Sequence, residues 1–236
     1  MSISTSSNSF TLLPPSPEVL QQVSERSKAC ISRLVAHKRD VLSQHLSEVP
    51  IKKLAGVLVL IYEHSGELRV LLTTRSKALR THAGQTALPG GRVDEEDADI
   101  VHTALREANE EVALPLASPH IHLLCLLDPF VSLHGLVVTP VVAFLSDSSV
   151  LETLVPGDGE VDRIFNHPLE SLLDPSILEA ETLVEAGTED WPYPEHVHVC
   201  WKVYSTYSIF SHFNAEHERP CTSVSQRHKL PEPSIS

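Results

Sequence analysis

From Leu54 to Tyr62 the chain is almost continuously apolar, and it is so again from Leu68 to Thr74. Ser65-Gly66 lies between the two runs, so the pattern predicts two strands joined as a hairpin. Ile121–Leu127 and Leu136–Leu145 read as further strands. The second is rich in Val, Leu and Phe, which suits a sheet interior, whereas Pro140 within it suggests an edge or a bulge. Between Ala98 and Leu114 the rhythm changes. Ile100, Val101, Ala104, Leu105, Ala108 and Val112 recur at helical spacing and form one stripe, with Asp97 as the expected N-cap and Pro115 just past the end. Val19, Leu20, Val23, Cys30, Ile31, Leu34, Val35, Val41, Leu42 and Leu46 predict one long or two shorter helices packing on the domain. Asp162–Leu173 reads as a short strand leading to a helix. Strands interleaved with helices make this a mixed α/β domain.

The flanks differ in kind. Residues 1–16 are rich in Ser and Pro and are expected to be disordered; 17–50 form a helical extension; 51–213 form the main domain; 214–236 are a polar tail, expected to be disordered. A strand is expected from His198 to Tyr204, but no closing helix follows it. The chain has 236 residues, 42% of them hydrophobic, which fits one ordinary globular domain with an extension. Cys30, Cys125, Cys200 and Cys221 are widely spaced and read as reduced thiols of a protein that is not secreted. No run approaches a membrane span, and the first residues lack a secretory signal.

The acidic side chains of the central helix change the picture. Glu107, Glu110 and Glu111 fall at i, i+3 and i+4 and so share one narrow face, at the border between the apolar stripe and solvent. Such spacing more often describes a solvated face. Here, however, Pro89-Gly90-Gly91 precedes the helix, and paired glycines let backbone approach a ligand closely. Crowded carboxylates suit a hard divalent cation such as Mg²⁺ or Mn²⁺, and Arg106 beside them can fix a carboxylate by a charge-assisted hydrogen bond. The net charge of −13 argues against nucleic acid as a partner. Yet from Leu68 to Val93 there is no acid and there are five bases, Arg69, Arg75, Lys77, Arg80 and Arg92, followed at once by Asp94, Glu95, Glu96, Asp97 and Asp99. A basic strip against an acidic one suits a ligand carrying several phosphates.

These residues resemble the signature of the Nudix hydrolases. Gly91, Arg106, Glu107, Glu110, Glu111 and Leu114 match it. The gap from Gly91 to Arg106 is one residue longer than the general pattern, Asp97 stands where the first Glu would be counted, and Ala113 replaces the late glycine. Just upstream, Leu71-Leu72-Thr73-Thr74-Arg75-Ser76, then Arg80, Gly84 and Leu88-Pro89-Gly90-Gly91, is similar at every fixed position to the added signature of the coenzyme A diphosphatases of that family. The two signatures span residues 71 to 114, under a fifth of the chain.

The resemblance implies an α/β/α sandwich around a mixed sheet. It implies metal-dependent hydrolysis of the diphosphate of coenzyme A or its acyl derivatives, giving 3′,5′-ADP and (acyl-)4′-phosphopantetheine. Glu107, Glu110 and Glu111 would hold one to three Mg²⁺ or Mn²⁺ ions, with Asp97 assisting and Arg106 beside them. Arg75, Ser76, Arg80, His82, Gly84, Gly90 and Gly91 would meet substrate. Glu160, in Gly157-Asp158-Gly159-Glu160, is a loop candidate for the general base, against the plainer reading of a solvated turn acid. His196 and His198 alternate as on a strand and read as surface residues rather than a zinc site. Two alternatives stand beside this: hydrolysis of another nucleoside diphosphate derivative, and a catalytically weak module that binds coenzyme A. Relatives are often peroxisomal or mitochondrial, and a cytoplasmic setting stays open as well. Acyl preference and oligomeric state are not legible.

Overall fold

A computed structural model describes residues 13–37, 49–132 and 134–172. The expectations for His196, His198, the strand at 198–204, the end of the helical extension and both termini lie outside these residues. Among the described residues, eight strands form one mixed sheet: β1 (Leu54–His64), β2 (Glu67–Arg75), β3 (Thr86–Ala87), β4 (Gly90–Arg92), β5 (Ile121–Leu126), β6 (Phe130–Val131), β7 (Val137–Leu145) and β8 (Val161–Pro168). The helices are α1 (Pro17–Leu20), α2 (Glu25–Ala36) and α3 (Ile100–Val112). Among the described residues, no helix is long and apolar enough to cross a membrane.

β1 and β2 form the expected antiparallel hairpin. Its turn places both Ser65 (φ 53°) and Gly66 (φ 81°) in the left-handed region, as a tight two-residue hairpin turn demands. Away from that turn the two strands part. The segment 86–92 fills the gap, β3 pairing with Thr73 and Thr74 of β2, and β4 pairing with Ala55 to Val57 of β1. β7 runs parallel to β1 from Leu54↔Val137 to Tyr62↔Leu145, and β8 adds to the outer edge of β2.

Alternation along the central strands divides the core in two. Leu58, Leu60 and Tyr62 of β1 and Val141, Ala143 and Leu145 of β7 pack with Ala104, Leu105, Ala108 and Val112 of α3. Val59 and Ile61 with Val142 and Phe144 point the other way, toward Ile31 and Leu34 of α2. Each large side chain buried here contributes about 1.5–3 kcal/mol. Helices cover both faces, so β7 is buried from Val138 onward and apolar but for Thr139, as expected of an interior strand.

Pro140 corrects the expectation of an edge or bulge, because it sits inside this central strand, opposite Val57. Its carbonyl accepts from Leu127 N–H at 3.0 Å, on the side where β5 ends at Leu126 and β6 begins at Phe130. N and C=O of one strand residue face the same neighbour, so the donor that proline lacks falls at a break between two partner strands. Among the described residues of the extension there are two helices, of four and twelve residues. Ser24, the N-cap of α2, donates its hydroxyl (2.7 Å) and backbone N–H (2.9 Å) to Glu63 of β1, pinning the extension to the sheet.

Candidate active site

α3 begins two residues later than its apolar pattern alone suggests. Its N-cap is Asp99, whose carboxylate accepts from His102 N–H at 2.8 Å; Asp97, the expected cap, does something else. Asp97 accepts from Thr103 Oγ1 (2.8 Å), from Arg106 Nε (2.9 Å) and Nη2 (3.1 Å), and from Asp94 N–H (2.9 Å), and its oxygen lies 2.9 Å from His102 Nδ1. Its side chain is 1% exposed. Burial alone would raise its pKa, but the bonds from Arg106, Asp94, His102 and Thr103 outweigh that and hold it well below the usual carboxylate range. In turn, the Asp97 bond holds the Arg106 guanidinium above its ordinary range. At the other end, Ala113 adopts a left-handed conformation (φ 57°) that closes the helix where the family signature has a glycine.

Arg106 extends from this anchor to the glutamates. Its Nη1 lies 3.0 Å from Glu107 and 3.1 Å from Glu110, and its Nη2 donates to Arg92 O at 3.1 Å. The expected fixing of carboxylates by Arg106 is what the structure shows. Glu110 is the outermost of the three. Glu107 is half-buried, and its carboxylate lies against Gly91 so closely that a Cβ there would sit 2.4 Å from it. Glu111 is 7% exposed, a buried acid at the sheet margin, and accepts from Gly90 N–H at 3.2 Å. Burial pushes the Glu111 carboxyl up to about 7; the bond from Gly90 and the charge of Arg75 oppose this, while Glu107 and Glu160 add to it. Glu107 is raised in the same way, by burial first.

The upstream signature closes on the same point. Arg75, the last residue of β2, places Nη1 3.6 Å from Glu111 Oε1, and its buried Nε has no hydrogen-bond partner among the described residues. The loop 76–85 that follows is pinned at its base by Arg75 N–H to Gln85 O (2.9 Å) and Gly84 N–H to Arg75 O (3.0 Å). Ser76 is buried, its N–H donating to Glu160 O at 2.9 Å and its hydroxyl accepting from Ala78 N–H at 3.3 Å. Arg80 and His82 are exposed on the loop. The loop that carries Glu160 is fixed to the end of α3 by Gly157 N–H to Glu111 O (2.8 Å), which leaves the Glu160 side chain exposed above the acids.

The basic strip is not one patch. Arg69 points to Asn166 near the hairpin end of β2, six residues and ~20 Å along the strand from Arg75. Sequence spacing also gave no sign of Thr103 and His102 as partners of Asp97, or of His134, whose Nε2 lies 2.9 Å from His82 Nε2.

Residues 52–187 match the family model described as NUDIX domain, more than half of the chain. The chain belongs to the Nudix family. Nudix relatives include a protein named "Nudix hydrolase 15, mitochondrial" from Arabidopsis thaliana, 43% identical over 122 residues, which are 51% of this chain and 42% of that protein. "Uncharacterized Nudix hydrolase NudL" of Pectobacterium atrosepticum is 42% identical over 129 residues, 55% of this chain and 64% of its own length. The chain thus spans between four-tenths and two-thirds of these relatives. Among solved structures, the Nudix domain of Shewanella oneidensis NrtR complexed with ADP ribose aligns with 61% of this chain and 86% of its own, at 23% identity and a TM-score of 0.40. Helices on both faces of a mixed sheet are the sandwich expected of a Nudix fold.

Proposed function

We propose that this Nudix chain is a metal-dependent diphosphatase that cleaves coenzyme A and its acyl derivatives to 3′,5′-ADP and (acyl-)4′-phosphopantetheine. The observation that carries it is Arg75, the arginine of the substrate signature, seated 3.6 Å from Glu111 of the acidic helix, its buried Nε without a partner among the described residues. A diphosphate placed there would meet a guanidinium on one side and carboxylates able to hold cations on the other.

The donor set fits a hard cation in kind: three carboxylates, two of them raised by burial and by their neighbours' charge, which is the condition a divalent cation relieves. Among the described residues, no three His, Cys, Asp or Glu already converge on one point. Glu107, Glu110 and Glu111 would hold Mg²⁺ or Mn²⁺, and Arg106 would hold Glu107 and Glu110 in place. For Asp97 we replace the metal-assisting role by that of an anchor for Arg106, since Arg106, Thr103, His102 and Asp94 already surround its carboxylate. When bound, the cation supplies charge neutralisation and a coordinated water of lowered pKa. Arg75 and Arg80 bind phosphate oxygens, the latter from the exposed part of the loop. Gly90 and Gly91 let the substrate and Glu107 approach the backbone. Ser76 and Gly84 shape the loop, and Glu160, held over the acids by its backbone, takes the proton of the attacking water. An intracellular setting, peroxisomal, mitochondrial or cytoplasmic, belongs to the same proposal; the relatives' printed names include mitochondrial and chloroplastic ones.

The test is incubation of the purified protein with coenzyme A and Mg²⁺ or Mn²⁺, with products read by mass spectrometry. The expected result is 3′,5′-ADP and 4′-phosphopantetheine in equal amounts. Cleavage confined to other nucleoside diphosphate derivatives would overturn the substrate, and binding of coenzyme A without turnover would overturn the enzyme.

A further inference from the structure

The loop 76–85 is tied down at its base, but its exposed part is held differently. His82 sits at φ 58°, in the left-handed region that non-glycine residues seldom adopt. Its ring spans two partners: Nδ1 lies 2.9 Å from Gln85 Oε1, and Nε2 lies 2.9 Å from Nε2 of His134, 52 residues away in sequence. The two imidazoles meet edge to face, centroids 5.0 Å apart at 71°. His134 lies in the turn between β6 and β7, which is closed by Gly135 N–H to Ser132 O (2.9 Å) and Ser132 N–H to Leu136 O (2.8 Å).

For a neutral pair with Gln85 Oε1 as acceptor, one arrangement of protons satisfies both contacts. An amide oxygen only accepts, so His82 Nδ1 carries the hydrogen donated to Gln85. Neutral His82 then has a bare lone pair at Nε2, and His134 Nε2 must donate into it. In the sheet, β4 and β1 lie between β2 and β7, and Gly91 pairs with Gly56 two residues from the Leu54↔Val137 pair. The His82–His134 bond therefore joins the substrate loop to the far hairpin at the end of the sheet that carries Gly90 and Gly91.

We propose that His134 is a positioning residue for the reaction: through His82 it holds the loop bearing Arg80 in the geometry that receives the substrate's phosphates. This rests on the diphosphatase reading above. His134 touches no metal ligand and takes no part in proton transfer to substrate. Its effect falls on capture of substrate rather than on the chemical step.

The test compares steady-state kinetics of His134→Ala, His134→Gln, His82→Ala and the double alanine variant with the wild type on coenzyme A. His134→Ala is expected to raise KM about tenfold, the worth of one hydrogen bond at a loop, with kcat changed less than about twofold. His134→Gln keeps an N–H donor at the same reach and should restore KM. The double variant should be no worse than either single one. An unchanged KM, a failure of glutamine to rescue, or additive losses would overturn the proposal. Imidazole ¹⁵N spectra give a readout that needs no substrate: His82 should appear as the Nδ1–H tautomer with its Nε2 signal shifted in His134→Ala. An inactive wild type with that signature intact would sink the diphosphatase reading alone; a signature absent from an active wild type would sink the clasp alone.

Discussion

The carboxylates at the two ends of α3 are chemically alike and are treated oppositely. At its start, Asp97 is enclosed by an arginine, a hydroxyl, an imidazole and a backbone N–H, and its pKa is driven down. Fourteen residues on, Glu111 is nearly as enclosed but has one backbone N–H and a guanidinium 3.6 Å away, with Glu107 and Glu160 for neighbours, and its pKa is driven up to about 7. Burial opposes charge in both cases; the difference lies in whether partners were supplied. A fully partnered acid stabilises the fold. An under-partnered one, beside glycines that leave the backbone open, is a place where a cation is wanted. Arg106 links the anchor to the neighbouring glutamates, with Nε and Nη2 on Asp97 and Nη1 on Glu107 and Glu110.

Removing the anchor should give the largest effect. Asp97→Ala leaves Arg106 without its main partner and the buried Thr103 hydroxyl with only its longer bond to Asp99 O (3.3 Å), a loss of about 3 kcal/mol. For a domain of this size that lowers Tm by roughly 6–12 °C, measurable by circular dichroism. Glu110→Ala, at the exposed end of the same guanidinium, should leave Tm within about 1 °C. Equal losses for the two would mean that the two ends of the helix do not differ as argued.

How much of this contrast could be read beforehand depends on the kind of signal. The long strands β1, β2, β5 and β7, the hairpin and the buried stripe of α3 follow from side-chain periodicity, which is local, and they stand where the pattern placed them; the short strands β3, β4 and β6 carry no such pattern and were not foreseen. The paired glycines were read as a close approach of backbone to a ligand; that the carboxylate of Glu107 itself lies against Gly91 was not legible, because it depends on how α3 packs on β4. The choice between Asp97 and Asp99 as cap was not legible: both are capping residues two apart, and backbone geometry decides between them. Nor was Pro140, whose tolerance depends on where β5 and β6 break opposite it. His134 was invisible for the simplest reason. It lies 52 residues from its partner and outside both signatures.

The paired glycines sharpen the contrast at smaller cost. A Cβ at Gly90 would meet Gly56 O at 2.5 Å and Val57 Cα at 2.6 Å, both backbone, so strand β4 would have to move. Gly90→Ala should therefore cost about 2 kcal/mol of stability. At Gly91 the obstacle is the carboxylate of Glu107, the mobile end of a side chain. Gly91→Ala should leave Tm nearly unchanged and weaken Mn²⁺ binding about tenfold by turning Glu107 aside, as titration calorimetry would show. A destabilised Gly91→Ala with normal Mn²⁺ affinity would reverse the assignment.

The smallest effect tests the under-partnered acids through pH. The ordinary carboxyl value is 4.5, and Glu111 sits at about 7 in the fold. Between those values the folded state holds a proton that the unfolded chain has released, so stability is greatest below the lower value and falls as pH rises toward the upper one. Glu107, raised in the same sense, steepens the fall. A divalent cation stabilises the charged form, so its benefit should grow across the same window and level off near pH 7. Saturating Mg²⁺ is expected to raise Tm by on the order of 5 °C at pH 8 and by little at pH 5. Glu111→Gln removes the titrating group and should flatten both curves. An Mg²⁺ shift that is the same at both pH values, or that survives in Glu111→Gln, would show that the cation binds elsewhere and that the raised acid is merely buried.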